Sequence, residues 1–202
     1  MRLPRIFAAA AVTLTLAVAG CSSSDSQPKS SSVEAAKPYN DADIAFATDM
    51  IQHHAQALQM VDMTMGHKLD PKVAVLAEDI RMAQAPEIEQ MVDLLDEWDH
   101  QPIPETSRDH ANAHGDSAVE MDATMPGMMS DKEMEALEAT QGTKFRSKWL
   151  TAMIEHHQGA IEMATTEKDR GEDNKAKALA QDIVDAQSDQ VKTMQTLEAA
   201  KR

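Results

Sequence analysis

The chain of 202 residues holds a single cysteine, Cys21, so an intramolecular disulfide and a thiolate-cluster metal site are both excluded. Aromatic residues make up only 3% and glycines number 7, a poor supply for sheets and hairpin turns. Basic residues are scarce beside acidic ones, 19 Lys and Arg against 34 Asp and Glu. The resulting net charge of −15 argues against a nucleic-acid groove, which needs a basic face. The apolar run from Ile6 to Ala19 is too short to span a bilayer, which takes about 20 residues. What the chain has in plenty is Ala, Glu, Gln, Lys and Leu, all good helix formers, together with 15 methionines and 8 histidines.

Arg2 and Arg5 ahead of that apolar run, and small residues behind it, describe a secretory signal over residues 1–20. Either the signal is cut nearby and Cys21 is incidental, or Cys21 takes a lipid and becomes the new N-terminus, as in a bacterial lipoprotein. The lone cysteine at this spot favours the lipid anchor. Removing Arg2 and Arg5 takes the charge from −15 to −17. Residues 21–39, with seven serines after the cysteine plus Pro28 and Pro38, cannot bury enough surface to order themselves and read as a tether.

The remainder, residues 40–202, is a duplication. A shift of 103 residues brings Met50-Ile51 onto Met153-Ile154, His53-His54 onto His156-His157, and Met60 onto Met163. The same shift aligns Asp79-Ile80 with Asp182-Ile183 and Ala83-Gln84 with Ala186-Gln187; 17 of the 50 positions from 46 to 95 are identical. Each copy (40–98 and 130–202) reads as two helices. Asn40 or Asp41, Asp70-Pro71, Ser130 with Glu133, and Asp173 supply N-terminal signals. Gly142 is expected to divide two helices, Gly171 to stop one, and Pro86 to kink one. The fold expected is all-α, an antiparallel four-helix bundle, with residues 99–129 as a long crossover.

At about 100° per residue, Phe46, Met50, His53, His54, Ala57, Met60 and Val61 share one stripe. Trp149, Met153, His156, His157, Ala160, Met163 and Ala164 share the matching one. Their apolar members turn these faces inward and set two histidine pairs in or beside the core. From the second helix of each copy, Asp79 with Gln84 and Asp182 with Gln187 lie on the edges of the inner stripe. A buried carboxylate needs a partner and an imidazole N–H is a suitable one, so Asp79 and Asp182 are expected to orient the imidazoles.

Two accounts of this pattern stand. Duplication copied a packing solution, or it copied a ligand set. At the paired histidines Glu-x-x-His, the di-iron motif, is absent, since Met50 and Met153 stand three residues before His53 and His156. Thioether beside imidazole without thiolate suits copper, Cu(I) especially. The candidate ligands are therefore His53, His54, His156 and His157, with Met50, Met60, Met153 and Met163 as soft partners. His110, His114, Met121 and Met125 in the crossover form a candidate secondary capture cluster, or else a solvated loop. Met128, Met129 and Met134 are expected to dock as apolar anchors, Met63, Met65 and His67 form a smaller group, and Met82, Met91 and Met194 read as core.

The segment Phe46-x-x-x-Met50-Ile51-x-His53-His54-x-x-Ala57-x-x-Met60, with its second copy from Trp149 to Met163, resembles the hallmark of the bacterial domain of unknown function 305 family. Met125-Pro126-Gly127-Met128-Met129 and Ile80-x-x-x-Gln84-x-x-Glu87-Ile88-x-x-Met91 resemble it too, and the likeness covers about residues 40–200. It implies a ferritin-like bundle, an exported location and, for some members, copper binding and copper tolerance, with no settled enzymatic activity. Gln190 stands where the first copy has Glu87, so a site built on Glu87 exists once. The expectation is an exported protein, lipid-anchored at the outer face of the cytoplasmic membrane or cell envelope, that buffers copper or hands it to a partner protein. It has no catalytic residues. A structural or partner-binding bundle without metal, and a metal oxidase, are the rival readings.

Overall fold

The protein is described from a computed structural model, which covers residues 37–100 and 125–200. The signal region, Cys21, most of the tether, and His110, His114 and Met121 lie outside the described residues. Asn40 opens helix α1 (Asp41–Asp62): its side chain accepts from the N–H groups of Ala42 and Asp43, and Asp43 accepts from the Asn40 N–H. That reciprocal cap satisfies amides that a helix start otherwise leaves open. Asp70 caps α2 (Pro71–Glu97), where Pro71 takes the first position and forfeits no hydrogen bond. The helix runs through the exposed Pro86 without a break. Ser130 and Glu133 form the capping box of the short α3 (Asp131–Glu138), and Gly142, at φ +60°, separates it from α4 (Gly142–Arg170). Asp173 caps α5 (Asn174–Ala199) through two backbone N–H groups.

The four long helices bury their stripes in two apolar clusters. One joins Phe46 and Met50 of α1 to Met91 and Leu95 of α2, Ala160 and Ala164 of α4, and Leu179 and Ile183 of α5. The other joins Met60 and Val61, Val73 and Ile80, Phe145 and Trp149, and Val191 and Met194 of the same helices. The first cluster thus unites the starts of α1 and α5 with the ends of α2 and α4, so the bundle is antiparallel. Each fully buried Leu, Ile or Met in it is worth about 1.5–3 kcal/mol. The chain leaves α2 at one end and enters α4 at the other. The crossover must therefore travel the length of the bundle, about 40 Å for a helix the size of α2, which is the ferritin-like connection. Met134 and Leu137 of α3 are buried in the second cluster. Met91 and Met194 are core, but Met82 is 68% exposed, because its neighbours Ile80 and Gln84 hold the inward positions of α2. Among the described residues, no helix is long and apolar enough to cross a membrane.

A buried acidic pair ties three helix ends together. The Asp43 carboxylate accepts the backbone N–H groups of Asn40 (2.6 Å), Glu172 (3.0 Å) and Asp173 (2.9 Å). Burial works against its ionisation, but these donors and the Glu167 carboxyl outweigh it and hold its pKa below the usual value. Glu167, 1% exposed, is the converse case. Burial first, and then the hydrogen bond and charge of Asp43, push its pKa from 4.5 up to about 8. Gly171 is glycine for the same reason, since a Cβ there would stand 2.1 Å from a Glu167 carboxyl oxygen. The folded protein holds this proton between about pH 4.5 and 8 while the unfolded chain releases it, so stability falls as pH rises through that window. Glu167→Gln is expected to flatten that slope while leaving the fold intact, which chemical denaturation at pH 5, 7 and 9 reads directly. Parallel slopes in the two proteins would refute a buried, protonated Glu167.

Candidate metal centre

Between the two apolar clusters all four long helices carry polar residues at the same level. These are His53 and His54 on α1, Gln84 and Glu87 on α2, His156 and His157 on α4, and Gln187 and Gln190 on α5. Each member of one half lies 103 residues from its counterpart in the other. The four imidazoles have no exposed surface, and Gln84 and Gln187 are 1% and 2% exposed.

The rings are held unequally. His53 Nε2–H donates to the Pro126 carbonyl at 3.0 Å, which leaves the lone pair on Nδ1, a nitrogen with no partner among the described residues. His54 Nε2 donates to the Glu87 carboxylate at 2.7 Å, and its Nδ1 is likewise unpartnered. His157 Nε2 donates to the Gln190 side-chain oxygen at 2.8 Å. His156 has no hydrogen bond at either nitrogen, and its ring lies against that of His53 with centroids 3.9 Å apart. Both side-chain amides, Gln84 and Gln187, are also without partners among the described residues.

Burial pushes the His53 pKa down to about 3 against the pull of the Pro126 carbonyl, and the neighbouring imidazoles lower it further. It pushes His157 down to about 4 against Gln190, and His156 well below its ordinary value. These three rings are neutral at physiological pH. Their lone pairs are free of protons, the state a metal ligand requires.

Met50 and Met163 belong to one apolar cluster and Met60 and Met153 to the other, so the four thioethers flank the polar layer two to a side. Met50 and Met153 sit one turn from the histidines; Met60 and Met163 are about 10 Å along the axis. Among the described residues, no group of three or more His, Cys, Asp or Glu side chains is arranged to hold a metal ion. Of the smaller group, His67 stacks on Phe145 at 3.7 Å while Met65 is 65% exposed.

Asp79 and Asp182 do not orient the imidazoles. Both are exposed, because Ile80 and Ile183, next in sequence, take the inward positions and the preceding residue turns about 100° away. The partners are Glu87 and Gln190, each seven residues after that isoleucine and so back on the same stripe. That spacing is the sequence signal that identifies them.

A strap covers this level. Gln56, fully buried, binds the backbone of Met129 twice, N–H to Oε1 at 2.8 Å and Nε2–H to carbonyl at 2.7 Å. Gly127, at φ +78°, lies against the backbone of Glu155 and His156. Gly159 lies so close to the strap that a Cβ there would stand 1.8 Å from the Pro126 carbonyl oxygen. Met125, Met128 and Met129 are half-buried along it. Gly159→Ala is therefore expected to lift the strap, break the His53–Pro126 hydrogen bond and lower stability by about 1–3 kcal/mol. Denaturant melts and the His53 ring nitrogen resonances report the two effects, and an unchanged pair of readings would rule out the close approach.

The family pattern described as "Domain of unknown function (DUF305)" matches residues 43–198. Among solved structures, a DUF305 fragment from Deinococcus radiodurans is 28% identical with a TM-score of 0.68, over 81% of this chain and 99% of that one. A presumed secreted DUF305 protein from Streptomyces coelicolor is 31% identical with a TM-score of 0.66, over 79% and 91%. CopM, solved in a Cu(II)-bound form, is 27% identical with a TM-score of 0.62, over 79% and 97%. CopM has also been solved with Cu(I) and with silver. No curated protein matches the sequence.

Proposed function

The chain belongs to the domain of unknown function 305 family, and on that footing we propose that it is an exported, lipid-anchored protein that binds copper and sequesters or transfers it. The observation that carries the reading is the layer of four fully buried imidazoles, three of them neutral by burial, with ring nitrogens left unpartnered. Buried polar atoms without partners cost about 1–3 kcal/mol each. A protein that keeps several of them at one level, and in duplicate, has a use for free lone pairs.

The fit to copper is chemical. Neutral imidazole and thioether are soft or borderline donors that need no deprotonation, and the chain's only thiol, Cys21, is the proposed anchor. Similarity to CopM, solved with Cu(I), Cu(II) and silver, supports the same direction. In this reading His53, His54, His156 and His157 are the ligands, with Met50, Met153, Met60 and Met163 as soft partners. Glu87 and Gln190 orient two of the rings. The His53–His156 ring contact has to open for an ion to reach them. Met125 belongs with His110, His114 and Met121 to the secondary capture cluster, and the acidic chain raises the local cation concentration. The role requires binding and release, and no catalytic residue.

A second reading, a structural bundle whose histidines only specify packing, draws on two observations. The imidazoles have no exposed surface, and no three-ligand group is preformed among the described residues. The two readings part on linkage. With free Cu(I) at a hundred times its dissociation constant, the wild type should gain about 2.7 kcal/mol of stability. His53, His54, His156 and His157 all changed to Ala should lose that gain and the corresponding stoichiometry. Equal copper stoichiometry and affinity in the two proteins would sink the central site. For the anchor, Cys21→Ser should move the protein from the membrane fraction to the soluble exported fraction in cells; retention in the membrane would exclude lipid attachment at Cys21.

A further inference from the structure

The two halves are copies, yet the residue behind each outer imidazole has diverged. His54 Nε2 faces a carboxylate at 2.7 Å, and His157 Nε2 faces an amide at 2.8 Å. Both partners come from thirty-three residues further along the chain, on the following long helix, so the geometry is conserved and the charge is not. The Glu87 side chain is only 12% exposed, and His54 is fully buried. Asp79 and Asp182, the repeated acids beside the inner stripes of α2 and α5, are on the surface.

We propose that Glu87 gives the buried layer a single fixed negative charge that matches a singly charged ion, and that Gln190 keeps a doubly charged ion out. This inference rests on the copper reading above and adds selectivity to it. With every ligating imidazole neutral, as metal ligation requires, one carboxylate and a monovalent ion sum to zero charge. The same set with a divalent ion leaves one uncompensated positive charge in the middle of the bundle. Uncompensated charge is what a low-dielectric interior resists most. Glutamate at both positions would balance a divalent ion instead. The duplication therefore began with two equal partner positions, and their divergence fixes the valence of the cargo.

The test uses the wild type and three variants: Glu87→Gln, Gln190→Glu and the double exchange. Each substitution installs a residue that the other half already carries against the same imidazole nitrogen, so the fold has a precedent for it; thermal melts without metal check this. Affinities for Ag(I), a redox-stable monovalent probe, and for Cu(II) are measured by competition with chelators. Glu87→Gln should weaken Ag(I) by about tenfold or more, and Gln190→Glu should shift the Cu(II)-to-Ag(I) affinity ratio toward Cu(II) by about tenfold or more. The double exchange, with its one carboxylate moved to the equivalent position, should return the ratio to near the wild-type value. A purely structural role for Glu87 predicts no such rescue. Ratios that stay constant across the variants, or a double exchange that fails to restore the ratio, would overturn the selectivity role. Binding that survives removal of all four histidines would instead overturn the copper reading on which it rests.

Discussion

Everything at the centre of this bundle follows from one constraint: a polar layer lies inside an apolar core and has too few partners within it. Four imidazoles and two glutamine amides at one level separate two apolar clusters that would otherwise form one column. In an ordinary bundle that level would be filled by Leu or Ile, each worth about 1.5–3 kcal/mol. Polar groups instead carry a desolvation penalty wherever no partner meets them. The apolar clusters on either side are large enough to hold the helices together regardless, which is what allows the layer to remain incompletely satisfied.

The remaining contacts read as partial answers to that constraint. Glu87 and Gln190 reach in from α2 and α5 to one ring each. The strap supplies a third acceptor, the Pro126 carbonyl, and to deliver it the backbone must lie directly on α4, which Gly127 and Gly159 permit. The crossover thus does more than connect the halves. Its last residues, 125–129, lie on the polar layer and close one side of it. Of the four imidazoles, His156 alone receives no hydrogen bond among the described residues, and its ring lies tilted against that of His53. Burial resolves the conflict electrostatically by keeping three of the rings neutral, so the layer carries lone pairs in place of cations.

Much of this was legible in the sequence, and the exceptions have a common cause. The caps at Asn40, Asp70, Ser130 and Asp173 are read from local chemistry, and all four sit at the observed helix starts. The histidine stripes follow from the 3.6-residue period and the 103-residue shift. Composition cannot distinguish neighbouring positions on a helix, however. Asp79 and Glu87 are both acids near an inner stripe, and which one meets an imidazole depends on a rotation of about 100° set by packing against α1 and α5. Met82 misleads for the same reason. The strap is a tertiary fact: nothing local says that Gly159 is small because Pro126 lies over it, although Gly159 replacing Gln56 in the second copy marks the position as one where the halves differ. Gly171 does cap the end of α4 as its residue type suggests, yet its φ of −67° is ordinary and its smallness makes room for the Glu167 carboxyl.

Comparing the copies position by position separates what packing requires from what it leaves open. Residues that fill the two clusters are kept or exchanged for others of similar character: Met50 and Met153, Ile80 and Ile183, Met91 and Met194, Phe46 and Trp149. The paired histidines and Gln84 with Gln187 are kept although each carries a desolvation cost, so packing alone does not account for them. Two departures at this level, Gln56 against Gly159 and Glu87 against Gln190, fall on positions that meet the strap or reach an imidazole from α2 and α5. A strap crossing between equivalent helices cannot obey the bundle's approximate twofold symmetry. One half must bind its backbone and the other must make room for it, as Gln56 and Gly159 do. With the symmetry broken on that side, the two imidazole pairs no longer share one environment. His53 gains an acceptor that His156 lacks, and His54 gains a charge that His157 lacks. A duplicated layer of equal sites has thereby become a single layer with a covered side and a charged side.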